Sequence, residues 1–97
     1  MRAYECLYLV RPDIEDEAYT ALVEKFNGVI TSGGGEIESV DEWGKRRLAY
    51  EVRDYRDGKY ILVQFSSNHE VSHEMERLMR ISDDVLRFMV TRREEEK

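Results

Sequence analysis

Cysteine, proline and tryptophan are each almost missing from this chain of 97 residues, occurring once apiece as Cys6, Pro12 and Trp43. A single cysteine excludes an internal disulfide and fits a reducing compartment. A single proline excludes the long proline-rich linkers that separate modules, and the length suits one domain with one core. No apolar run approaches the ~20 residues that cross a bilayer, so no membrane partner is expected. The apolar patch near the start, Leu7 to Val10, is too short for a secretory signal, and no small-residue cleavage site follows it. A cytoplasmic location is expected.

Charge of either sign is plentiful but unevenly spread. The net charge of -6 taken alone argues against nucleic acid. From Asp13 to Glu42 the acids are Asp13, Glu15, Asp16, Glu17, Glu24, Glu36, Glu38, Asp41 and Glu42, against the one base Lys25. From Lys45 to Lys59 the balance reverses, with Lys45, Arg46, Arg47, Arg53, Arg56 and Lys59 against Glu51, Asp54 and Asp57. Arg77, Arg80, Arg87, Arg92 and Arg93 follow, with Asp83 and Asp84 between them. The chain is an acidic half joined to a basic half, and its acidic total does not exclude RNA.

Periodicity orders the elements. Tyr4, Cys6, Tyr8 and Val10 alternate with Ala3, Glu5, Leu7 and Leu9, as in a strand with apolar residues on both faces. After Pro12, Asp13 is the expected N-cap of a helix from about Ile14 to Ser32, ended by Gly33, Gly34 and Gly35. Glu36 to Val52 reads as a strand whose parity breaks at Trp43-Gly44, where a bulge restores it. Arg53 to Gly58 is expected as a turn with Asp57-Gly58 at its end, then a strand over Tyr60 to Ser66. Asn68 can cap a helix striped by Val71, Met75, Leu78 and Met79, and a last strand runs from Val85 to Thr91. Residues 1–92 form the expected domain, and 93–97 a charged, disordered tail.

The order β-α-β-β-α-β predicts an α+β, ferredoxin-like split β-α-β fold: a four-stranded antiparallel sheet with both helices on one face. Its first and third strands lie in the middle, so Leu7, Leu9, Tyr60 and Leu62 are expected as an apolar patch with no helix above it. Such patches mark interaction sites.

Chemistry is thinly represented. His69 and His73 have the i, i+4 spacing of a metal pair but no third ligand near in sequence, so two exposed helix histidines and no metal site are expected. Glu15-Asp16-Glu17 suits the helix dipole better than acid/base catalysis. The glycine run follows a helix rather than preceding one, so it is no phosphate loop. No serine sits in a nucleophile elbow. Acylphosphatases share this topology but carry a glycine-rich anion loop after the first strand, where this chain has Val10-Arg11-Pro12-Asp13-Ile14-Glu15. RNA-recognition motifs share it too, and Tyr60 to Phe65 matches the end of their third-strand signature. Lys59, Ile61 and Leu62 depart from it, which favours an ordinary core strand. Neither an enzyme, a cofactor nor a small-molecule substrate is expected.

Asp41-Glu42-Trp43-Gly44-Lys45-Arg46-Arg47-Leu48-Ala49-Tyr50 resembles the hallmark segment of the bacterial small-subunit ribosomal protein six family. Met1 to Glu5 resembles the family's opening and Arg80 to Val90 its close, so three motifs in register cover nearly the whole chain. Glu51 replaces a frequent proline, and Tyr8 is larger than the aliphatic residue usual there. The resemblance implies a structural constituent of the 30S subunit that binds the central domain of 16S ribosomal RNA as a heterodimer with small-subunit ribosomal protein eighteen. Glu42, Lys45, Arg46 and Arg47 are candidates to complement that partner's charge, and equally to prevent edge-to-edge strand pairing. Leu48 and Tyr50 stand open between core and interface. Arg2, Arg80, Arg87 and Arg92 are candidate RNA-phosphate contacts, with a solvated surface role the alternative for each singly. The competing function is a free-standing regulatory or ligand-sensing domain of the same fold that dimerises through its sheet.

Overall fold

The computed structural model describes residues 1–93. Its elements are β1 (Arg2–Val10), α1 (Asp16–Ser32), β2 (Glu36–Val52), β3 (Tyr55–Ser67), α2 (His69–Ile81) and β4 (Val85–Arg92). The sheet is antiparallel in the order β2-β3-β1-β4, so β1 and β3 are central as the crossovers require. From residue 94 on, the expected tail lies outside the described residues. Arg93 donates its backbone N–H to the Ala3 carbonyl at 2.9 Å and its guanidinium to Glu38 at 2.8 Å.

Strand alternation and helix stripes meet in one core. Tyr4, Cys6, Tyr8 and Val10 of β1 and Ile61, Val63 and Phe65 of β3 are buried against Leu22, Phe26 and Ile30 of α1 and Val71, Met75 and Met79 of α2. Leu78 and Val90 are only partly buried against this cluster. Tyr8 meets Phe26 edge-on at 5.3 Å and Tyr4 stacks on Phe65 at 5.6 Å, the two arrangements aromatic quadrupoles favour. Cys6 is fully buried with its Sγ 3.7 Å from the Met79 sulfur. Burial, with Glu76 adding to it, pushes its thiol up to about 12, so it stays protonated and inert.

Two local expectations are corrected. The first helix begins at Asp16 with Glu15 at the N-cap position, not at Ile14 behind Asp13. Arg11 has taken Asp13: its Nη1 lies 2.9 Å from Asp13 Oδ1 and its Nε 2.7 Å from Asp84 Oδ1. The Arg11 guanidinium therefore ties the β1–α1 loop to Asp84 in the α2–β4 loop, and it holds the Asp13 pKa below the usual range. The turn expected to end at Asp57-Gly58 is instead the tight pair Arg53-Asp54, with φ of 50° and 69°. Positive φ at both central residues matches the right-handed twist of a two-residue hairpin. Gly58 lies inside β3, opposite Arg46.

The bulge expected at Trp43-Gly44 is present, with the register shifting between Glu42 and Gly44 and Gly44 at φ 78°. A larger irregularity follows. Arg47 pairs with Asp57 and Val52 with Tyr55, so Leu48, Ala49, Tyr50 and Glu51 stand against Arg56 alone.

Candidate interaction surfaces

The face of the sheet turned away from the helices divides into a polar end and an apolar centre. At the polar end Gln64 donates to Glu5 at 2.9 Å and accepts from Ser39 at 3.2 Å. Beside it Glu38 accepts from Ser66 at 2.9 Å and from Arg93, and these bonds hold its carboxyl below the usual range. The apolar centre follows from the strand register, in which Leu7 lies between Leu62 and Met89, and Leu9 between Tyr60 and Arg87. Leu7, Tyr60 and Leu62 are half-buried and Met89 is exposed, as a face with no helix over it should be. Leu9 departs from expectation, being fully buried. It leans onto Gly58, whose missing side chain gives it room, so a partner reaches its neighbours but not Leu9 itself.

Two aromatic residues that parity counting missed flank this centre. The bulge puts the Trp43 ring 5.5 Å from Tyr60, with Arg46 5.3 Å over the indole and the indole N–H donating to Asp41 at 3.1 Å. The excess residues of the second irregularity carry Tyr50 from β2 to Arg87 of β4, where its hydroxyl accepts a 3.1 Å bond and its ring lies 5.7 Å under the guanidinium. Tyr50 is nonetheless 65% exposed, which settles it as surface rather than core.

Glu42, Lys45, Arg46 and Arg47 are all exposed on the edge strand β2, but they do not share a face. Glu42 accepts from the Tyr19 hydroxyl of α1 at 2.8 Å. Lys45 pairs across from Lys59, which itself sits 4.8 Å over the Tyr19 ring, so both belong to the helix side. Arg46 alone lies over the open face. Arg47 borders a hollow with Leu48, Ala49, Tyr50, Glu51 and Arg56 at the base of the hairpin arm.

The four candidate RNA arginines also separate. Arg2 and Arg92 come together at one corner, across from the start of α2, where Tyr4, His69, Ser72, His73, Glu76 and Val90 complete a concavity of about 290 Å³. Arg80, in the last turn of α2, lies 5.7 Å over Phe88 of β4, on the same side of the sheet. Arg87 is on the open face with Tyr50. His69 and His73 stand with ring centroids 4.0 Å apart, yet among the described residues no group of three possible ligands is placed to hold a metal ion. Also among these residues, no helix is long and apolar enough to cross a membrane.

Comparison with known proteins settles the family. The family model described as ribosomal protein S6 matches residues 3–92. The chain belongs to the ribosomal protein S6 family. A small ribosomal subunit protein bS6 from Moorella thermoacetica is 55% identical over 96 residues, covering 99% of this chain and 98% of that protein. One of the same name from Desulfitobacterium hafniense is 53% identical over 95 residues, covering 98% and 100%. The crystal structure of 30S ribosomal protein S6 from Thermotoga maritima superposes with a TM-score of 0.89 at 28% identity, covering 95% of this chain and 87% of that one. The split β-α-β sheet described above is thus the S6 fold, and the hallmark segment is its second strand with the bulge.

Proposed function

We propose that this S6-family chain is a structural, non-catalytic constituent of the small ribosomal subunit in the cytoplasm, binding the central domain of 16S ribosomal RNA together with small-subunit ribosomal protein eighteen. The observation that carries the reading is the uncovered apolar centre of the sheet, Leu7, Tyr60 and Leu62 with Trp43 and Met89 around it, bordered by Arg46 and Arg87. An apolar core with a charged rim is the anatomy of a protein interface. A basic partner seated there would offset the net charge of -6 and so favour approach to an RNA surface. Arg2, Arg80 and Arg92, on the helix side of β1, α2 and β4, then add RNA contacts to a composite surface read by shape more than by base identity.

Sedimentation of a native extract tests the reading. The chain should travel with 30S particles and leave them at high salt together with its protein partner. Migration as a free homodimer would overturn it in favour of a regulatory domain pairing through its sheet.

A further inference from the structure

The corner formed by Arg2 and Arg92 contains two titratable groups that phosphate attraction alone does not require. Arg2 and Tyr4 come from β1, Arg92 from β4, and His69, Ser72, His73 and Glu76 from α2. Neither arginine forms an ion pair with a carboxylate among the described residues, whereas Arg11, Arg56, Arg77 and Arg93 all do. Two arginines less one glutamate leave one positive charge around the concavity, and two imidazolium groups would add two more. Ser72 is already committed, its hydroxyl donating to the His69 carbonyl at 2.8 Å, so the recognition falls to the arginines and imidazoles. On α2 itself Glu70, in the first turn beside His69, does not line the concavity and Glu74 is held by Arg77 at 2.8 Å, so Glu76 is the α2 carboxylate among the lining residues.

The imidazole spacing determines how the site responds to pH. With centroids 4.0 Å apart, two protonated rings repel each other unless an anion lies against both. An oxyanion in the concavity supplies that compensation and accepts a bond from each ring N–H as well as from the arginine forks. Binding and protonation therefore favour one another. The start of α2 adds to the same field, since Asn68 makes no side-chain cap bond to the first-turn N–H groups.

We propose that this concavity is a phosphate site whose affinity is governed by protonation of His69 and His73, so that its hold on an RNA backbone phosphate is tighter when both rings are protonated. The phosphate's source, RNA, rests on the function proposed above; the proton coupling does not.

Sulfate is the suitable probe because its charge is constant between pH 5.5 and 7.5. Titrating it into the full chain at low salt should move the ring resonances of both histidines. Apparent affinity should be at least fivefold tighter at pH 5.5 than at 7.5. His69→Gln with His73→Gln should abolish that difference while leaving the amide spectrum of a folded protein, and Arg2→Gln with Arg92→Gln should remove binding at both pH values. Equal affinity at the two pH values, or ring signals that ignore sulfate, would overturn the inference. A parallel RNA measurement on the complex with the protein partner separates the two claims. RNA binding lost with the arginine pair but flat with pH refutes only the histidine coupling. RNA binding indifferent to the arginines, with sulfate still bound in a pH-dependent way, leaves the coupled anion site standing and refutes its assignment to RNA.

Discussion

Leu9 rests against Gly58 on the open side of the sheet, and a methyl group at Gly58 would collide with the leucine side chain. Leu9 is fully buried, and the Val10 carbonyl oxygen would lie only 3.3 Å from the same added carbon. Gly58→Ala should therefore overpack the site and destabilise the protein by about 1–3 kcal/mol. Urea denaturation measures this, and a loss under about 0.5 kcal/mol would mean that the leucine yields easily.

Tyr8 presents the opposite problem. Its hydroxyl is buried beside Phe26 and has no hydrogen-bond partner among the described residues, while desolvation drives its pKa upward. A buried, unpaired hydroxyl costs about 1–3 kcal/mol. Tyr8→Phe keeps the edge-on ring contact and should raise stability by about 1 kcal/mol, read as a higher urea midpoint with unchanged slope.

These two sites also show where sequence reasoning succeeds and where it stops. Alternation placed Tyr8 in the core correctly, because a strand has only two faces and the helices cover one of them. The Trp43-Gly44 bulge was legible for the same reason, as a break in parity. The hairpin turn was misplaced because Asp57-Gly58 carries the stronger turn signal, whereas that glycine is used for the close approach of Leu9. Nothing in Arg53-Asp54 advertises two positive φ angles. Which arginines share a surface was likewise hidden: Arg2 and Arg92 are neighbours only through the pairing of β1 with β4, and the bulges rotate Arg46 and Tyr50 onto a face that counting alone does not reveal.

The Glu38–Arg93 contact predicts a pH response with a definite sign. Arg93, with help from Ser66, lowers the folded-state pKa of Glu38. Its stabilisation is thus complete above the unfolded carboxylate range near about pH 4.3 and is lost as pH falls through the lower folded value. Wild-type and Arg93→Gln proteins should differ in denaturation midpoint at pH 6–7 and converge as the pH is lowered through the folded-state value. High salt should also shrink the gap, because the pair is solvent-accessible.

The distribution of charge along β2 sharpens what its arginines should do. Arg46 lies over Trp43 on the open face, whereas Arg47 borders the hollow at the hairpin base. Arg46→Glu should weaken the proposed pairing with small-subunit ribosomal protein eighteen about tenfold, equivalent to about 1.4 kcal/mol. Arg47→Glu should weaken it less, with the fold intact in both. Calorimetry distinguishes the outcomes, and equal affinities throughout would confine both residues to keeping the strand edge unpaired.

The pairing of Tyr4 with Arg92 places the outer edge of β1 under the last strand of the domain. During synthesis β1 emerges first, yet one of its two neighbours is translated last. Until β4 arrives, a strand rich in aromatic and aliphatic side chains presents a row of unpaired backbone groups, the arrangement that invites pairing with another chain. A nascent S6-family chain stalled before Val85 would be a candidate for aggregation, and completion of β4 is what removes that hazard.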